Sequence, residues 1–270
     1  MTCTRCRQFE AVPGGGLCRA CEAEEGHPDV GPGLPPAPPL VAGVPLGPPA
    51  LLRSPVALGR AVVILLGAVA VADLVAVWAD LALLDVMDRL ATADWSAALE
   101  HDSDRADRLI AFAGLLQTLT YVATIIVFIF WFLRVRVNAE VFDPFGHRKR
   151  RGWAIGGWFV PLANLWVPRR IAVDCWDASG PWQKPRSHAL VNTWWTLWLL
   201  SLFAGEAGDR AYIGAQEVEE YRSAARQMLF ADSLEIVSAV FAVLFVLALT
   251  RMQDDKARSG PREPAPDDVR

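Results

Sequence analysis

The first fifty residues hold no apolar run of signal-peptide length. They begin with cysteines and pass into proline, so the N-terminus is expected to stay in the cytoplasm until a first span inserts. Positive charge is in short supply as well: 26 Lys and Arg stand against 30 Asp and Glu, a net charge of −4. A phosphate-binding surface needs a surplus of bases, so nucleic acid is not an expected partner. Histidine is scarce, with four in the chain. No histidine pair or nucleophile stands at a recognisable catalytic spacing, so the chain is not expected to be an enzyme. The residues indicate where the protein sits and how it is organised, and they do not disclose a molecular activity.

Of five cysteines, four fall in the first 21 residues, as "CTRC" and "CRAC". Each CxxC pair lets two thiolates reach one ion, and four thiolates at tetrahedral corners make a closed structural zinc site. Cys3, Cys6, Cys18 and Cys21 are therefore the expected ligands of one zinc ion in a zinc-ribbon-like head spanning 1–26. The "PGGG" at Pro13 to Gly16 supplies the turn between the knuckles. A module this small has no apolar core, so metal binding would supply most of its folding free energy. A reducing compartment disfavours the alternative of two disulfides. Arg5, Arg7 and Arg19 are offset by Glu10, Glu22, Glu24 and Glu25. That balance favours an unidentified cytoplasmic protein as partner of the head, or a purely structural role, over DNA. Cys175 is isolated and flanked by Asp174 and Asp177, which would raise its pKa and leave it inert.

Residues 27–54 are dominated by proline and glycine and read as a semi-rigid spacer rather than a recognition motif. Beyond it the composition changes. Hydrophobic residues make up 53% of the chain, there are 11 Trp, and mean hydropathy is positive. Four segments approach the roughly 20 residues that a 30 Å core requires: about 56–84, 109–133, 189–205 and 230–250. The expected fold is all-α and integral to the membrane, since a helix satisfies its own backbone in lipid. The membrane domain would cover 55–250, with a disordered tail over 251–270.

Charge sorts by position. The loop expected between the first two spans, 85–108, carries Asp85, Asp88, Asp94, Glu100, Asp102, Asp104 and Asp107, while the loop expected after the second, 134–152, carries Arg134, Arg136, Arg148, Lys149, Arg150 and Arg151. The positive-inside rule then puts both termini in the cytoplasm. The stretch "GWFVPLANLWVPRR" from Gly157 to Arg170 is apolar yet interrupted by Pro161, Asn164 and Pro168. If it crossed, Arg169, Arg170, Lys184 and Arg186 would lie outside and the acids after Gly205 inside, against the rule. The charge rule favours a re-entrant or interfacial path over 152–178. Nine of the eleven tryptophans fall between Trp131 and Trp198, matching an interfacial belt, aromatic packing within the bundle, or both.

Asp73 stands near the middle of the first span, where an acid costs roughly 2.5–3.5 kcal/mol to insert. It must face the bundle and find a partner; Asn192, Thr120, Thr124 or an arginine are the candidates. A polar site of Asp73, Asn164 and Asn192 would be read either as packing hydrogen bonds or as a proton or cation path. Asp232 and Glu235 form a second acidic spot on the last span. Arg148, Lys149, Arg150 and Arg151 form a patch suited to anionic lipid headgroups, at about 1 kcal/mol per base. Asp143 and His147 beside it would suggest lipid chemistry only if they converged in one pocket.

The run from Arg134 to Ser179 resembles a bacterial membrane family, domain-of-unknown-function family 4328. The resemblance rests on Trp158, Phe159, Pro161, Asn164 and Leu165, then Pro168, and a Trp-x-x-Ser ending at Trp176 and Ser179. It implies a multi-pass protein of the bacterial plasma membrane and brings no activity with it. Cysteine-knuckle heads on proline-rich linkers are common in members similar to this chain; Arg7 and Glu22 stand here where a glycine usually follows each knuckle. The leading expectation is a non-catalytic, membrane-anchored interaction or sensing protein. The alternative is a transport or permeation protein using Asp73 and the broken segment around Pro161.

Overall fold

The computed structural model describes residues 51–92, 96–181 and 186–259, and over these the chain is all-helical with no strand. The four cysteines of the expected head lie outside the described residues.

Helix α1, Val56–Thr92, follows directly on Pro55 and is apolar over most of its length. Its buried stripe, through Val62, Leu66, Val69, Ala72, Asp73, Ala76 and Ala79, repeats every three or four residues. Ile64, Val71, Leu74 and Trp78 point away from the bundle, as a lipid-facing surface requires. Helix α2, Ala97–Phe142, is 46 residues long. The side chain of Ser96 caps it by accepting from the Leu99 amide at 3.3 Å. Helices α3, Trp153–Phe159, and α4, Val167–Ser179, flank a short 3-10 turn at Ala163–Leu165. Helices α5, Ala189–Gly214, and α6, Val218–Ser259, complete the fold.

Helices α1 and α2 form one long hairpin, and α5 and α6 a second. α1 packs along both α2 and α6, so the four lie in the order α2–α1–α6–α5. The end of α1 at Thr92, the start of α2 at Ala97 and the turn at 215–217 define a hairpin end. Residues 143–152, the end of α4 at Ser179 and the start of α5 at Ala189 define the opposite, loop end. At the loop end α1 and α6 approach closely: a Cβ on Gly59 would meet Thr250 Oγ1 at 2.6 Å.

Three helices, α1, α2 and α6, are long and apolar enough to cross a membrane, which is the build of a membrane protein. The fourth expected segment, 189–205, lies within α5. That helix is 26 residues long, but Asn192, Thr193, Thr196 and three tryptophans lower its apolar character.

Two expectations need correcting. The acid-rich stretches read as loops are mostly helix: Asp85 and Asp88 extend α1, and Glu100 to Asp107 open α2. Ion pairs hold these extensions together, Arg89 bonding Asp85 at 3.2 Å and Asp102 at 2.8 Å. Arg222 reaches Asp88 across the hairpins at 2.5 Å. The second correction concerns the tail. Residues 251–259 are helical and anchored rather than disordered, because Gln253 is buried and Lys256 Nζ donates to the carbonyls of Ala178 and Gly180 at 2.7 and 3.0 Å.

The segment around Pro161 reverses direction. Proline has no N–H and clashes with a preceding helical turn, so α3 stops at Phe159. The Ala163 amide then donates to the Pro161 carbonyl at 2.8 Å, across a Leu162 held at φ 64, ψ −48. That is a γ-turn of the rare, strained kind. After it the chain folds back so far that a Cβ on Gly157 would come within 2.9 Å of Val167 Cγ1. Glycine at 157 is what allows α3 and α4 to touch.

Candidate functional site

Asp73 is 1% exposed, and its partner is Gln117 of α2, not one of the residues considered from sequence. Thr120 and Thr124 spend their hydroxyls on carbonyls of their own helix, and Asn192 accepts from Arg169 at 2.7 Å. The Gln117 amide nitrogen donates to Asp73 at 3.1 Å and to Asp232 of α6 at 3.0 Å. Glu235, one turn further along α6, completes a group of three carboxylates whose oxygens lie within 4.8 Å of one another. Asp80, two turns from Asp73 on the same face of α1, is also 1% exposed and sits against Asp232.

Among the described residues no basic side chain pairs with any of these four acids. One oxygen of Asp73 and one of Asp80 are buried without a hydrogen-bond partner. Four negative charges in an apolar bundle repel strongly and are costly to desolvate. The arrangement is therefore complete only when protons or a cation are held among them. The sequence marks Asp73 as one acidic site and Asp232 with Glu235 as another; that the two are one cluster, and that Asp80 and Gln117 belong to it, comes from the fold. The seven-residue interval between Asp73 and Asp80 was the available signal, since it places both on one helix face.

Glu235 also faces a cavity of about 300 Å³. Leu66 and Val69 of α1 line it, as do Tyr121, Thr124 and Phe128 of α2 and Ser238 of α6. Trp194 and Trp198 come from α5, and Trp158 and Asn164 from the reversed segment. The aromatic rings interlock. Trp158 stands edge-on to Phe128, with centroids 5.5 Å apart, and to Trp198 at 5.7 Å. Trp194 stacks on Phe245 at 4.3 Å. Trp195 donates to the Leu165 carbonyl at 3.2 Å, fastening the reversed segment to α5. Most of these tryptophans thus pack inside the bundle, while Trp78, Trp153 and Trp166 keep exposed faces.

The loop end carries a second polar system. Asn138 is 1% exposed; its amide group exchanges hydrogen bonds with the backbone of Arg53, at 3.1 and 2.8 Å, just before α1 begins. Arg136, also buried, pairs with Glu140 at 2.7 Å, and Arg151 pairs with the same carboxylate. The basic patch is thus divided. Arg148 and Arg150 are exposed, Arg151 is neutralised, and the Lys149 ammonium lies over the Trp153 ring at 5.7 Å. Asp143 caps its own turn by accepting from the amides of Phe145 and Gly146. His147 is half-buried, and burial, with Arg136 nearby, lowers its pKa. Neither Asp143 nor His147 lines the cavity. Burial pushes the Cys175 thiol up to about 12, with Asp174 adding to it.

Apolar helices around an acid-lined core and an aromatic cavity define the class: a helical membrane protein with a polar site enclosed in its bundle. The chain belongs to the domain-of-unknown-function family DUF4328, whose profile matches residues 96–251. No curated protein and no solved structure matches it.

Proposed function

We propose that this protein is a bacterial plasma-membrane permeation or transport protein that holds a proton or small cation on Asp73, Asp80, Asp232 and Glu235. The observation that carries this reading is the meeting of unpaired buried carboxylates with a cavity at Glu235. An acid within an apolar span is costly, and four converging there serve function better than packing. The acids also form a file. Asp209 near the hairpin end acts on Asp232, Gln117 joins Asp232 to Asp73, and Glu235 opens on the cavity.

In this reading α5 is the fourth crossing. It runs antiparallel to α6, and 26 residues reach about 39 Å, more than the hydrocarbon core. The acidic hairpin end faces outside and the basic loop end faces the cytoplasm, where Arg148 and Arg150 meet anionic headgroups. The reversed segment around Pro161 is re-entrant, its exposed Leu162 facing lipid and its Trp158, Phe159 and Asn164 lining the cavity.

A second reading, the membrane-anchored interaction or sensing protein, is favoured by the Asn138 clasp on Arg53. The clasp fixes the point where a zinc head on Cys3, Cys6, Cys18 and Cys21 would be tethered. No catalytic step is part of either reading.

Proton or monovalent-cation flux into liposomes carrying the purified full chain tests the first reading. Flux above empty liposomes, reduced at least tenfold by Asp73→Asn, is expected. Flux equal to empty liposomes overturns permeation and leaves the anchor.

A further inference from the structure

We infer that the aromatic cavity binds a small protonated amine carrying an apolar or aromatic body, with Glu235 as its counter-ion. This rests on the permeation reading for its role and names the class of solute, but its binding is measured separately.

Charge and shape lead to this ligand. The lining contains one carboxylate, that of Glu235, and no basic side chain. Aromatic faces carry partial negative charge and attract a cation within about 6 Å of the ring centre. Here Trp158 is tilted 86° to Phe128 and 79° to Trp198. With Trp194 they put four aromatic side chains on the wall of one cavity, in differing ring orientations. A neutral apolar molecule offers the Glu235 carboxylate no counter-charge, and an anion would be repelled by both the carboxylate and the rings.

The primary ammonium, rather than a quaternary one, follows from Asn164. Its Oδ1 is buried on the cavity wall with no hydrogen-bond partner. A buried acceptor without a donor costs about 1–3 kcal/mol. An ammonium N–H satisfies it, and a trimethylammonium cannot. The remaining wall, from Leu66, Val69, Ile125 and Ala239, is aliphatic and takes the body of the molecule. A volume near 300 Å³ is at the small end of ligand sites, which limits the solute to about one ring and a short chain.

The test is calorimetric titration of the full chain in neutral phosphatidylcholine nanodiscs, against empty nanodiscs. The probes are phenethylammonium, its trimethylammonium analogue and the neutral isostere propylbenzene. Saturable binding of phenethylammonium is expected, at least tenfold tighter than either comparison probe. Glu235→Gln should weaken it tenfold or more, and Asn164→Leu should remove the preference over the trimethyl analogue. Trp198→Leu, which leaves both polar groups in place, should weaken binding several-fold; thermal melts show that each variant is folded. Equal affinity for phenethylammonium and propylbenzene, or unchanged binding in folded Glu235→Gln, overturns the inference. Cation flux without amine binding also overturns it while sparing the permeation reading. Amine binding without flux upholds it and overturns permeation.

Discussion

Asn138 of α2 donates its side-chain N–H to the Gln253 amide oxygen of α6 at 3.0 Å, and both residues are buried. Gln253 in turn donates to the Val135 carbonyl at 2.8 Å and to the Ser179 hydroxyl at 3.1 Å. Ser179 donates onward to the Cys175 carbonyl at 2.6 Å. These two amides hold the start of α1, the end of α2, α4 and α6 at one point. Replacing one partner strands the other, at about 1–3 kcal/mol. Asn138→Leu and Gln253→Leu should each lower the melting temperature, and the double variant should lose less than the sum. Strict additivity would deny the coupling.

The same network makes the end of α6 essential. A chain ending after Ser259 should melt like the full protein. A chain ending after Thr250 loses Gln253 and Lys256 and should melt markedly lower or fail to assemble. Size-exclusion profiles and melts of the two truncations decide this.

Gly157 and Val167 are a matched pair. Gly157→Ala should destabilise by about 1–3 kcal/mol through overpacking, and adding Val167→Ala should recover most of the loss. At Leu162 the positive φ predicts the opposite tolerance. Leu162→Gly should be neutral or stabilising, whereas the β-branched Leu162→Val should cost about 1–3 kcal/mol. Thermal melts in one detergent compare all four variants.

Much of this architecture could be read from residue order. Apolar stretches located the three long helices, and Pro161 with Asn164 marked the break. Asp73 stood out because one acid interrupts a run of valine and leucine. Its partner did not, since Gln117 lies 44 residues away and only packing brings it near. The acidic extensions were misread because Asp and Glu are as common in loops as on solvated helix faces. The tail was misread because Gln253 and Lys256 look solvent-bound until α4 is in place. Trp194 and Trp198 of α5 serve the cavity wall and Trp195 fastens the reversed segment, which is why that helix looks less like a crossing than its neighbours.

His147 gives a pH signature. Its folded pKa lies below the ordinary 6.5, chiefly through burial and then Arg136. The unfolded chain therefore binds this proton more tightly than the folded one. Its contribution to stability is complete above 6.5 and lost as pH falls through that value toward the folded pKa. Melts at successive pH values should show wild type declining more steeply on acidification than His147→Gln; parallel curves would contradict this.

Metal and thiol chemistry separate the two parts of the chain. One zinc per chain is expected, lost in Cys3→Ser/Cys18→Ser, with the melt of the helical bundle unchanged. In a variant with all four head cysteines replaced by serine, Cys175 should resist maleimide until the bundle unfolds, because it is fully buried with a pKa of about 12. Rapid labelling of the folded variant would contradict that burial.

Helix α2 holds 46 residues without interruption, about 69 Å of continuous rod. A hydrocarbon layer near 30 Å thick takes up less than half of it. A crossing would leave the remainder clear of the lipid, on a helix with no break between the part inside and the parts outside. Arg89 on Asp102 braces one end and Asn138 on Gln253 the other, so α2 is a strut that sets the separation of the two ends of the bundle.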